Sequence, residues 1–292
     1  MLAEAEKTIV QHYRDALRAV RREIADVYAR FGDDVSYAEM QKYKRLASLE
    51  QAIIKELQRL GVQARSAIRA GIKDVYSASY YHSAFAFETT LQTKFGFGAL
   101  DPTKVEAAVF NPLDRIKWSE RLSGHITVLN RRIQSAITQG LIQGYGLAKT
   151  ARNVREAIER NTYESLRIIR TESQRAQSAA RLAAIEKVEA ASSELGFSVY
   201  RVWLATLDQR KRESHRQLDG QRADADGFFH FGDGGRTQAP GMSGIAEEDI
   251  HCRCTVITEF EGIPQQMRPD NEEKVNIPFL GYEEWFEARI KK

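Results

Sequence analysis

Cysteine is nearly absent from this chain of 292 residues: Cys252 and Cys254 are the whole supply, and they stand one residue apart. A disulfide across so short a gap is strained, and no second pair exists to build a framework, so oxidative stapling is excluded as the source of stability. Two thiols so placed are either small buried side chains or metal ligands. Proline is scarce as well, with six in all, and together with 42% hydrophobic and 28% charged residues this excludes a disordered stalk and points to a helix-rich fold. A dominant charge is missing too. Lys and Arg number 43 against 40 Asp and Glu, a formal +3, so any nucleic-acid contact has to be local. No stretch approaches the roughly 18 uncharged apolar residues of a membrane span. The opening MLAEAEKTIVQHYRDAL lacks the basic segment, apolar run and small-residue cleavage site of a signal peptide. These absences predict a protein without a membrane partner, made and kept in a cytoplasm or in something assembled there.

What is present is helical periodicity. Ile9, Tyr13, Leu17, Val20, Ile24, Val27 and Phe31 recur three and four apart, one face of a long helix that Gly32 stops. Ser36 and Glu39 form a capping box before a second run, Met40 to Leu60, predicted to end at Gly61. A third helical stretch runs from Val62 to about Lys94. The glycines and prolines of FGFGALDPTKVEAAVFNPLD then predict a loop with one short helix near Pro102, a candidate hinge. Further helices are predicted over Ile116 to Tyr145, over Ala148 to Ile158, and from Tyr163 to about Glu194 with Asn161 as its cap. After Gly196 the texture changes. FSVYRVWLAT reads as a strand, followed by a charged segment from Asp208 to Asp219, a Gly-rich loop from Asp226 to Gly244, and a second strand from Cys254 to Phe260. The predicted class is α+β: a mainly helical, elongated N-terminal and central part with a small C-terminal unit of short strands. The expected division is a helical domain over 1–110, a second domain over 111–262 and a tail over 263–292.

Three pieces of the second domain stand out in order: Arg170, Thr171 and Glu172 in a helix; Thr206, Asp208, Arg210, His215 and Gly220 after the first strand; and Cys252, Arg253 and Cys254 entering the second. Each alone is weak, but the ordered set resembles the Mu F-like minor head proteins of tailed phages, over about residues 138–260. One departure is His251, where the family usually has Asn before CRC. The resemblance implies a non-enzymatic protein of the virion, assembled in the bacterial host cytoplasm and bound at the portal vertex. It further implies a role in head assembly, with DNA packaging or ejection as further steps, and the portal protein as partner beside scaffold or major capsid protein. The amphipathic N-terminal helices are natural docking faces for such partners.

The residues themselves leave several readings open. Cys252 and Cys254 with His215 give a Cys2His core for structural zinc, with Asp208, His251 or His230 as a fourth ligand, provided the backbone bends to bring both thiols to one ion. Alternatively, the cysteines are ordinary buried residues and His215 belongs to a polar network. Arg170, Glu172, Asp208 and Arg210 are candidates for a buried charge network that fixes register, or for a solvated helix face. Arg152, Arg155, Arg210, Lys211 and Arg212 are candidates for non-specific DNA contact. Catalysis is the rival class. A Cys254 and His215 nucleophile pair, or an ADP-ribosylating site at Arg170 and Glu172, would suit a prophage-derived enzyme or toxin carrier. Neither has a nucleophile elbow or a phosphate-cradling loop beside it, and only some 30 residues follow Glu261, fewer than a further catalytic domain needs.

Overall fold

The computed structural model describes all residues except 34, 43, 111–116, 211, 264–266, 272, 280, 282, 283 and 285–292. It is mainly helical with short antiparallel strands, the α+β class expected from the sequence. Its residues cluster into two compact units, Met1–Ile72 with Arg115–Arg170 and Lys73–Asp114 with Thr171–Lys292. Each unit therefore draws on two separate stretches of chain.

The first unit is all helix. Helix α1 (Leu2–Phe31) buries Ile9, Tyr13, Val20 and Ile24 of the predicted stripe, with Ala16 and Tyr28 buried beside half-buried Leu17, Val27 and Phe31, and ends at Gly32 in a left-handed conformation (φ 83°). The capping box forms as expected before α2 (Tyr37–Lys42). Glu39 accepts from the Ser36 backbone N–H at 2.9 Å, and the Glu39 N–H donates to Ser36 Oγ at 3.3 Å. The hydrogen bonds that Ser36 donates hold the Glu39 carboxyl below its usual range.

The predicted stop at Gly61 is wrong. Helix α3 runs unbroken from Arg45 to Leu91, and the break falls earlier, beside Lys44 at φ 55°. A glycine costs a helix about 1 kcal/mol relative to Ala. That cost is overridden here because the buried stripe Leu57, Leu60, Ala64, Ile68, Ile72 passes straight through it. At Gly71 the lack of a side chain has a packing role. A Cβ there would stand 2.7 Å from Ala5 Cβ and 3.0 Å from Ile169 Cδ1. Gly71→Ala is therefore expected to destabilise by about 1–3 kcal/mol through overpacking. Gly61→Ala, whose Cβ would meet Ile126 at an ordinary 3.6 Å, is expected to stabilise by about 0.5–1 kcal/mol. Urea midpoints of the two variants check the pair, and shifts of the same sign would refute it.

Helices α4 (Pro102–Phe110) and α5 (Trp118–Ile142) fall where the sequence places them. The next two predicted helices are one. Helix α6 (Leu147–Leu195) passes through Asn161, which is not a cap but a fully buried mid-helix side chain. Its amide donates to the His125 carbonyl at 2.9 Å, and its Oδ1 accepts from Tyr13 Oη at 2.7 Å. Tyr13 also meets Ser165 Oγ at 2.7 Å, and its burial pushes the phenol pKa up.

The second unit adds the strands to the C-terminal parts of α3 and α6 and to α4. Strand β1 (Val199–Leu204) pairs antiparallel with β4 (Thr255–Phe260), Val199 opposite Phe260 and Leu204 opposite Thr255. Between them lie α7 (Glu213–Gln217), the short hairpin of β2 (Phe229–His230) and β3 (Arg236–Thr237), and α8 (Ala246–Asp249). A last hairpin, β5 (Met267–Asp270) with β6 (Val275–Pro278), follows. The core here is aromatic. Trp203 packs edge-on against Phe229 at 5.3 Å, against His215 at 5.5 Å and against Phe231 at 6.3 Å.

Candidate metal centre in the C-terminal unit

The β1/β4 register decides what meets beyond the strand ends. Because Leu204 pairs with Thr255, the chain leaving β1 runs beside the chain entering β4, and Thr206 Oγ1 donates to the Arg253 carbonyl at 2.7 Å. Strand β4 begins one residue later than the sequence suggests, so Cys252 and Cys254 both lie just before it. His251 precedes them at φ 62°, a left-handed conformation that non-glycine residues rarely adopt and in which Asn, Asp and His are enriched. This gives His251, exposed here, the part of a turn residue, the same part an Asn would play.

The bend brings both sulfurs to one imidazole. His215, on α7, places Nδ1 at 3.4 Å from Cys254 Sγ and 3.6 Å from Cys252 Sγ, and ligand atoms of all three residues lie within 4.8 Å of one another. All three side chains are buried, at 2%, 5% and 3% exposure for His215, Cys252 and Cys254. The hydrogen bond between the two thiols lowers the Cys254 pKa well below the usual thiol range, with His215 helping, and raises that of Cys252 together with burial. Phe231 stacks on the imidazole at 6.0 Å and 26°, and with Trp203 it closes the apolar side.

The other predicted ligands lie elsewhere. Asp208 is buried and faces Arg253, which holds it from both guanidinium nitrogens, one at 2.9 Å, while Asp208 Oδ1 accepts from the Arg210 backbone N–H at 3.0 Å. That pairing raises the Arg253 pKa. His230 is exposed and sits 2.5 Å from Asp224. Of the four residues expected in one charge network, Asp208 and Arg210 meet, through the Arg210 backbone N–H. Arg170 pairs with Glu6 at 2.6 Å, and Glu172 with Arg175 at 2.9 Å. Among the DNA candidates Arg152, Arg155 and Arg210 are exposed, and Arg212 donates to the carbonyls of Glu248 and Ile250. Lys211 lies outside the described residues.

Several residues that hold the site are missed by sequence reasoning. Gln174, Ser178 and Arg181, spaced four and three apart on α6, donate to the Cys254 carbonyl (2.7 Å), the Pro240 carbonyl (2.7 Å) and the Val256 carbonyl (3.0 Å). Their polar spacing inside an apolar stripe is the available signal. Gly241, at φ 78°, lets its loop approach α6 so closely that a Cβ would sit 3.1 Å from Gln174 Cγ. Arg268 and Asp219 form an ion pair at 3.0 Å with side chains 1% and 3% exposed. Glu248, on α8, lies 2.8 Å from His215 Nε2 and accepts from Ser214 Oγ at 2.8 Å.

A long helix, a two-stranded ladder and glycine-bearing loops thus close round a buried His and two Cys, with the Asp208–Arg253 pair where the second and third motifs meet. Residues 131–257 match the family described as Phage Mu protein F like protein. Two curated relatives extend the likeness beyond it. The chain is 29% identical over 289 residues to the NAD(+)-arginine ADP-ribosyltransferase EFV of Enterococcus faecalis, a match covering 99% of this chain and 58% of that protein. It is 29% identical over 294 residues to the minor head protein GP7 of Bacillus phage SPP1, covering 98% of this chain and 92% of that protein. The chain therefore spans little more than half the length of the first relative. No solved structure matches it.

Proposed function

We propose that this chain is a phage minor head protein, a component of the virion assembled in the host cytoplasm, which acts in head morphogenesis from the portal vertex. The observation that carries the reading is its likeness to a minor head protein across nearly the whole of both chains, so that both compact units are included. The partners assigned are the portal protein first, then scaffold or major capsid protein, met by the helical first unit. DNA is assigned to the same unit, as a ligand during packaging or ejection. Arg18, Arg21 and Arg22 of α1 and Arg152 and Arg155 of α6 line one groove of about 780 Å³. Such a face binds phosphates without sequence preference, and each arginine that neutralises a phosphate steepens the salt dependence by about 0.9 in the logarithmic slope. The cofactor assigned to the second unit is structural zinc on His215, Cys252 and Cys254, on the grounds of donor softness.

The likeness to a transferase favours a second reading, in which this sequence is a prophage-derived enzyme or toxin-carrier module that uses the Arg170–Glu172, His215 and Cys254 residues for transferase or thiol chemistry. The chain covers 92% of the head protein but 58% of the enzyme, which supports the first reading over the second. The buried Glu172, tied to Arg175, is poorly placed to meet NAD, and the buried Cys254 and His215 are poorly placed to meet a substrate. One experiment separates the readings. Co-expression with the portal protein should give a complex that co-purifies, and mass spectrometry should find the chain in virions. Incubation of the full chain with NAD and arginine-bearing protein should transfer no label. Absence from portal complexes and virions would overturn the head reading, and label transfer would establish the enzyme in its place.

A further inference from the structure

The Cys/His cluster carries more than the choice between buried thiols and zinc. A zinc ion bound by thiolate at about 2.3 Å and imidazole at about 2.05 Å in a tetrahedron separates sulfur from nitrogen by about 3.6 Å. The two sulfurs lie 3.4 and 3.6 Å from the same nitrogen, His215 Nδ1. A neutral imidazole nitrogen has either one proton or one lone pair to offer, so it hydrogen-bonds well to one sulfur only. Both sulfurs at that spacing around one nitrogen is the arrangement an ion between them requires. On the far side of the ring, Glu248 Oε2 lies 2.8 Å from Nε2, and the same oxygen accepts from Ser214 Oγ at 2.8 Å.

We infer that Glu248 is the positioning residue of this metal centre. Its carboxylate stands 2.8 Å from Nε2, without the alignment of a hydrogen bond, and its charge favours the proton on that nitrogen, which leaves the lone pair on Nδ1 for a zinc ion shared with Cys252 and Cys254. This role rests on the zinc assignment above and adds to it the choice of ring nitrogen and a fourth functional residue. A metal-bound histidine ordinarily gives its other N–H to a carboxylate, carbonyl or water, which sets the ring orientation and raises ligand basicity. Here three elements supply the parts. Helix α7 brings His215 and Ser214, α8 brings Glu248, and the bend at His251 brings the thiols. Trp203 and Phe231 exclude solvent from the imidazole faces. The remaining ligand candidates are otherwise engaged. Asp208 is held by Arg253 and His230 by Asp224, and among the described residues the ligand group comprises His215, Cys252 and Cys254 alone. A second-sphere carboxylate fits the placement of Glu248 better than a ligand role, because it stands at the nitrogen away from the sulfurs.

The test uses the full chain and zinc as the only metal. Purified wild type should carry one zinc per chain by elemental analysis. Cobalt substituted for zinc should show the thiolate charge-transfer absorption of a sulfur-ligated site. Cys254→Ser should lose the metal. Glu248→Gln, nearly isosteric, should keep its circular dichroism and its unfolding midpoint in saturating zinc, but bind zinc about 10- to 100-fold more weakly against a competing chelator. Glu248→Asp should recover part of that loss. A folded wild type that takes up no zinc would overturn the zinc assignment and the role of Glu248 with it. A zinc-loaded wild type whose Glu248→Gln variant binds zinc equally tightly would overturn the role of Glu248 alone. Because that affinity is read on a folded, near-isosteric variant, it decides the role of Glu248 whether or not Cys254→Ser folds.

Discussion

Asp219→Ala is expected to destabilise the C-terminal unit by about 3–5 kcal/mol. The carboxylate faces Arg268 at 3.0 and 3.2 Å and accepts the Ala205 backbone N–H at 2.7 Å, while the Arg268 guanidinium also donates to the Ala205 carbonyl at 2.7 Å. Ala205 is therefore clamped on both backbone groups, and it is the first residue beyond β1, directly before the stretch that carries Thr206 and Asp208 to the Cys/His cluster. Removing the carboxylate takes the acceptor oxygens at 3.0 and 3.2 Å from a guanidinium at 1% exposure and leaves the Ala205 amide without its acceptor. The attraction within the intact pair is largely offset by the cost of desolvating both ions, so the loss measures the buried groups deprived of Asp219 and not the worth of the bridge. A double replacement, Asp219→Leu with Arg268→Met, is accordingly expected to recover most of the loss. Urea unfolding followed by the fluorescence of the buried Trp203 reads both variants. A single-variant loss below about 1 kcal/mol, or a double variant worse than the single one, would show that the clamp is not what holds Ala205.

How much of this is legible in the sequence depends on range. Helix α1 and the capping box are legible because their determinants are local: an apolar stripe, a Ser–x–x–Glu spacing and a glycine whose φ is positive. The glycine at 61 and the asparagine at 161 mislead as helix ends because local propensity points one way and tertiary packing the other. In both cases the buried stripe continues past the supposed terminus, and the continuation outweighs the single residue. The Cys/His cluster is legible as a set of donors. Its geometry is not, because the bend that joins the thiols resides in the backbone of His251, and the carboxylate behind His215 belongs to a different short helix. Arg268 and Asp219 are 49 residues apart, and nothing in either neighbourhood marks the other as its partner. The arginines at 152 and 155 are legible as a basic run. That they share a groove with Arg18, Arg21 and Arg22 is visible only once α1 lies beside the start of α6.

Asn161→Asp is expected to cost the helical first unit about 3–5 kcal/mol at neutral pH although it changes the side chain by a single atom. The amide now donates to the His125 carbonyl at 2.9 Å and to Glu164 Oε2 at 3.1 Å, while its oxygen accepts from Tyr13. A carboxylate in its place would face two acceptors with no proton to give, next to a second carboxylate, in a position with 0% exposure. Burial and the neighbouring Glu164 both oppose ionisation, so the new group's pKa in the folded state must lie above its unfolded value of about 3.9. The sign of the pH effect follows. Above about pH 4 the folded state holds a proton that the unfolded state has released, so stability falls as pH rises until the folded group ionises as well, and it recovers on acidification towards pH 4. Asn161→Ala, which leaves the carbonyl and the phenol short of a partner but adds no charge, should cost about 1–3 kcal/mol with no such pH dependence relative to wild type. Urea unfolding across the acid range distinguishes the two. A penalty for Asn161→Asp that is the same at pH 4.5 and pH 8 would mean that the carboxylate finds solvent, and that Asn161 stands at a helix end as the sequence alone suggests.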